Sequence, residues 1–158
     1  MSRIGVLALI AASVFLFAPR ADALQMDLTR AELCRVSTAV VLGRVSDAET
    51  LWAANSNGGI ERRVFVDTYK TLRGERAPMY EVVLPGGTMG ELHHWVEDVP
   101  DLEVGAQYML FLVRRPIEAG GGWDVIGGDG GAVQIAPHGF GKGETVTEAI
   151  ASLEGCHG

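Results

Sequence analysis

The chain has 158 residues, of which 13 are Lys or Arg and 20 are Asp or Glu, for a formal charge of −7. That length holds one domain plus a short extra segment, and the acidic balance excludes a nucleic-acid partner held by counterion release from a basic face. The 47% hydrophobic content is enough to build a core, and 21 glycines, about twice the usual share, predict turns and short strands in place of long helices.

Met1-Ser2-Arg3 carries one positive charge, Ile4 to Ala18 is uncharged and mainly apolar, and Ala21-Asp22-Ala23 follows Pro19-Arg20. This is the order of a secretory signal: basic start, short apolar run, small-x-small cleavage site. As a helix the apolar run spans about 22 Å, short of a bilayer core of about 30 Å. The expectation is a cleaved signal peptide at residues 1–23 and one domain at 24–158, secreted or periplasmic, with no membrane insertion after cleavage. The first cysteine, Cys34, stands too far from the apolar run for a lipid anchor.

Thr29-Arg30-Ala31-Glu32 has capping-box spacing and predicts a short helix over Arg30 to Ser37. Ala39 to Val45 is apolar and β-branched and predicts a buried strand continuing toward Trp52. Asn55-Ser56-Asn57-Gly58-Gly59 is a turn, and Ile60 to Thr71 alternates, so the two runs predict a long hairpin. Tyr80 to Leu84 predicts a third strand, stopped by Pro85-Gly86-Gly87. Between Thr88 and Pro100 a long loop is expected, with a short edge strand at Trp95-Val96. Tyr108 to Val113 predicts a central strand, and Trp123 to Ile126 and Ala132 to Ile135 predict two short ones. Thr145-Val146-Thr147-Glu148 is a second capping box; it opens a helix that places Val146, Ile150 and Leu153 on one face and stops at Gly155. Strands joined by turns exclude a parallel α/β sheet. The expected class is mainly β: a small antiparallel barrel of five to seven strands with a short N-terminal helix and a C-terminal helix.

Cys34 and Cys156 are the two cysteines. In an oxidising compartment an even pair predicts a disulfide, here closing about 120 residues. The competing reading is two buried or reactive thiols.

The search for chemistry returns little. His93 and His94 are flanked by Glu91, Glu97 and Asp98, but adjacent histidines on a strand point to opposite faces, and the His-Glu-x-x-His spacing of a zinc protease helix is absent. The expected reading is an exposed polar loop with no metal. One Asp in Ile126-Gly127-Gly128-Asp129-Gly130-Gly131 is too few oxygens for calcium. Gly141-Lys142-Gly143 lacks the Ser or Thr of a phosphate loop. There is no Gly-x-Ser-x-Gly elbow and no Cys-x-x-Cys pair. No catalytic residue and no cofactor is assigned. Of Trp52, Trp95 and Trp123, at least two are expected to pack in the core or at the barrel rim.

Glu32-Leu33-Cys34, the stretch from Ser37 to Val45, the hairpin, and Tyr69-Lys70-Thr71-Leu72-Arg73-Gly74 together resemble the N-terminal module of the tissue inhibitors of metalloproteinases and related netrin-like modules. Tyr108 to Val113 and Gly122-Trp123 continue the likeness, which covers roughly residues 31–126. The layout is also similar to that of uncharacterised exported bacterial proteins with Pro-Gly-Gly after the third strand. The resemblance implies an OB-like barrel and a role beside a protease. In those inhibitors a chain-terminal Cys chelates the protease zinc; here the expected mature start is Leu24, and Cys34 lies further in.

The functional expectation is an exported, non-enzymatic binding or accessory domain. Its partner is a protein or small ligand of the cell envelope, and its partner surface is formed by Met89, His93, His94 and Trp95. The alternative is a small exported metal-dependent hydrolase using His93 and His94.

Overall fold

The computed structural model describes residues 28–53, 59–136, 143–153 and 156. The expected signal segment, residues 55–58 of the hairpin turn and the Gly155 helix stop lie outside the described residues.

Helix α1 (Arg30–Val36) opens on the expected capping box: Thr29 Oγ1 accepts the Glu32 N–H, and the Glu32 carboxylate accepts the Thr29 N–H at 2.8 Å. Each such cap satisfies donors that a first turn leaves unpaired and contributes about 1 kcal/mol. Eight strands follow: β1 (Ala39–Trp52), β2 (Ile60–Arg73), β3 (Met79–Pro85), β4 (Gly87–Met89), β5 (Leu92–His94), β6 (Gln107–Arg114), β7 (Trp123–Val125) and β8 (Ala132–Ile135). Helix α2 (Val146–Ala151) closes the order on the second capping box, Thr145 with Glu148.

The long hairpin pairs β1 with β2 from Trp52↔Ile60 to Val40↔Arg73. β1 also pairs with β6, from Ala39↔Leu112 to Arg44↔Gln107. The ring β1-β2-β3-β7-β6 thereby closes, and β8 lies beside β6 as a sixth strand. A ring of five strands cannot alternate direction all the way round, so one neighbouring pair must be parallel. That pair is β3 and β7, joined at Val82↔Trp123. The barrel is therefore mixed at this one seam, where an all-antiparallel barrel was expected; it is otherwise the small OB-like closure.

Two cores result. Val41, Val45, Val64, Val66, Tyr80 and Leu110 are among the residues that fill the barrel. On the outer side of β1 and β6, Val40, Leu42, Met109 and Phe111 are covered by Leu33 and Cys34 of α1, Ile135 of β8 and Ala149 of α2. The start of β1 (39–43) and the middle of β6 (108–112) are thus buried on both faces, which is why these stretches carry no charged residue, whereas β2 alternates.

The Cys34–Cys156 disulfide lies in this second core, with Cα atoms 5.8 Å apart. It ties α1 to the end of the chain. The bidentate pair of Arg30 with Glu144 does the same a few residues away, and Arg30 Nη1 also donates to Ser152 Oγ at 2.7 Å.

Two local expectations are corrected. Trp95 and Val96 form no edge strand; the chain folds back earlier, as the β4–β5 hairpin with pairs Gly87↔His94, Thr88↔His93 and Met89↔Leu92. Its two-residue turn is Gly90-Glu91 with Gly90 at φ 60°, and a glycine leading a tight hairpin turn relieves the strain of positive φ. Of the three tryptophans, only Trp123 packs against the barrel core, while Trp52 and Trp95 are 53% and 69% exposed.

Candidate functional site

The long hairpin outruns the barrel, because β1 pairs with β6 only as far as Arg44. Its far end, around Thr50 and Ile60, receives the β4–β5 hairpin. Gly87 lies there at φ 135°, and a Cβ on it would stand 3.1 Å from Thr50 Cγ2. A side chain at this position would push the small hairpin off its seat. Ile60 holds the hairpin through its backbone: its N–H donates to His94 Nδ1 at 3.3 Å, and its carbonyl accepts the Gly86 N–H at 2.7 Å. His93 meets Thr88 Oγ1 through its own Nδ1 at 2.7 Å.

Beneath the hairpin and the following loop is a cavity of about 520 Å³, whose lining includes Thr50, Arg62, His93, His94, Trp95 and Asp101. Arg62 is held by Asp101 at 3.2 Å and by the Leu102 carbonyl at 3.0 Å. The loop itself is pinned by Asp98. Among the described residues Asp98 is the one non-glycine with positive φ, at 57°, and its carboxylate accepts the Asp129 N–H at 3.4 Å. The structure thus gathers His93, His94 and Trp95 around one cavity. Met89, half-buried at the hairpin tip, does not line it.

A second cleft, of about 360 Å³, lies against His94 and Pro85 and is lined also by Ile60, Glu61, Arg115 and Asp124. Glu61 is 2% exposed and is gripped by two arginines, Arg115 at 3.2 Å and Arg63 at 3.4 Å. Arg63 reaches on to Glu81 at 2.6 Å, and Arg115 stands 4.0 Å from Asp124. Burial pushes the Asp124 carboxyl up from its ordinary value; the Arg115 guanidinium draws it back, and Glu61 adds to the rise. Sequence reading missed this network. Its one local signal is the run Glu61-Arg62-Arg63 entering an otherwise apolar-alternating strand.

Among the described residues no three His, Cys, Asp or Glu side chains converge on a point that would hold a metal ion. His94 is engaged by the Ile60 N–H and His93 by the Thr88 hydroxyl, and both border the same cavity. No known family model, curated protein or solved structure matches the chain.

Proposed function

We propose that the chain is an exported, non-enzymatic binding or accessory domain that meets an envelope partner through the surface around His93, His94 and Trp95. One observation carries the reading. Trp95 leaves 69% of its surface exposed, yet stands on a segment fastened at both ends, by His94 on Ile60 and by Asp98 on Asp129. A non-glycine residue with positive φ is uncommon even where, as for Asp, the region is accessible, and Asp98 adopts it while bonded to Asp129. An exposed indole on a pre-ordered loop is the anchor that interfaces favour, because little freedom is lost on binding.

Export is supported by the disulfide, which belongs to oxidising compartments, and by the signal-like order of residues 1–23. Among the described residues no helix is long and apolar enough to cross a membrane. A protease is the partner class that the sequence resemblance implies. The hydrolase alternative needs a third ligand beside the two histidines, and nothing in the geometry favours it.

The test is a double variant, His94→Ala with Trp95→Ala. It should unfold close to the wild type and lose capture of a partner from the envelope fraction. A variant that captures the same protein as the wild type, or a wild type that captures none, overturns the reading.

A further inference from the structure

The cleft between His94 and Asp124 adjoins the cavity under Trp95, with Pro85 and His94 common to both, and has its own chemistry on the Asp124 side. Its charges do not balance. Arg63 and Arg115 face Glu61, Glu81 and Asp124, which leaves one negative charge in excess. The arginines are committed to the buried Glu61, and Arg115 is only 13% exposed. Asp124 is the accessible group, at 45% exposure, and among the described residues its one ion-pair neighbour, Arg115, is at the outer limit, 4.0 Å. Ala53, Gly59, Ile60 and Pro85 give the described lining an apolar stretch, with His94 beside it. An accessible, under-compensated carboxylate at the end of a short apolar wall suits a positive charge carried on a hydrocarbon stem.

We propose that this cleft binds an alkylammonium group, with the ammonium on Asp124 and the stem along Ile60 and Pro85. An anion is less well served there, because Asp124 is 45% exposed against 13% for Arg115. The chemistry is shared by a lysine side chain of a polypeptide and a free alkylamine. Burial already works against the charged form of Asp124, so a bound cation relieves a cost present in the empty cleft.

The test is two-dimensional amide NMR of the disulfide-bonded, isotope-labelled protein titrated with n-butylammonium chloride. Parallel titrations use n-butanol, which keeps the stem, ammonium chloride, which keeps the charge, and sodium butyrate, which reverses it. Saturable shifts at Gly59, Ile60, His94 and Asp124 are expected with butylammonium and not with the other three. Asp124→Asn should weaken the binding roughly two- to fivefold, and Glu118→Gln, which removes the same charge from an exposed loop, should not. Nα-acetyl-lysine N-methylamide then separates the sources: binding as tight as butylammonium or tighter assigns the cleft to a lysine side chain, and weaker binding assigns it to a free amine. Equal shifts with butanol, stronger shifts with butyrate, no saturable shift with butylammonium, or an unchanged affinity in Asp124→Asn would each overturn the proposal. His94 borders both the cleft and the partner surface, so the cleft is judged on Asp124→Asn, a position not among the residues of that surface, and the Trp95 surface on its own capture test.

Discussion

The peptide of Ile60 grips the β4–β5 hairpin at both ends: its N–H donates to His94 Nδ1 at 3.3 Å and its carbonyl accepts the Gly86 N–H at 2.7 Å. Gly86 precedes β4 and His94 ends β5. A hairpin with a three-residue ladder is too small to be stable alone, so its position depends on this seat and on the closeness that Gly87 allows.

Removing the imidazole tests the seat. His94→Ala leaves the Ile60 N–H without its acceptor and should cost about 1 kcal/mol. Amide hydrogen exchange is expected to speed up at Ile60 while the strands of the barrel keep their protection. Unchanged exchange at Ile60 would show that the ring does not hold the hairpin.

The disulfide predicts a large stability effect. Its partners are 122 residues apart in sequence, and closing a loop of that length constrains the unfolded chain by about 4–5 kcal/mol. Reduction, or replacement of Cys34 and Cys156 by Ala, should lower the melting temperature by roughly 10–20 °C. Thermal unfolding with and without reductant measures this directly, and an equal melting temperature in both would contradict it.

Gly43 is predicted to be irreplaceable for reasons of space. It sits between β2 and β6, opposite Thr68 and Tyr108. A Cβ there would lie 2.6 Å from Val66 Cγ1 and 2.8 Å from the Asp67 carbonyl oxygen. Gly43→Ala should therefore destabilise by about 1–3 kcal/mol, read as a lower denaturation midpoint with an unchanged slope.

Acid should loosen the helical side of the molecule first. The hydrogen bonds from Arg30 hold the Glu144 carboxyl below the usual range against an opposing effect of burial. The capping threonines hold Glu32 and Glu148 low in the same way. A carboxyl whose folded value lies below its unfolded value adds stability above the unfolded value and loses it as pH falls through the folded one. Arg30→Gln should thus cost about 0.5–1 kcal/mol near neutral pH, and the difference from wild type should shrink in acid to what the Ser152 hydrogen bond contributes. A difference undiminished at low pH would assign the effect to packing.

The strands were legible where burial imposes a pattern. The start of β1 and the middle of β6 announce themselves as apolar runs because both faces are covered there, and the two Thr-x-x-Glu boxes mark both helices. The disulfide was legible from an even pair of cysteines together with the expected export signal. Less legible was what depends on closure: the parallel seam at Val82↔Trp123 follows from the parity of the ring, which no single strand reveals. The β4–β5 hairpin was missed although Gly90-Glu91 is a tight-turn signal, because three-residue strands lie below the length at which alternation can be seen. The Glu61–Arg115–Asp124 network joins β2 to residues more than fifty positions away, and composition carries no trace of such pairing.

The most direct test of the binding-domain account places a photo-reactive tryptophan that keeps the indole at position 95 in the native compartment and, separately, at Ile117, which is 88% exposed and lines neither cavity. The account predicts one discrete adduct from position 95, lost when His94→Ala is added, and none from position 117. No adduct from position 95, or the same adducts from both positions, would contradict it.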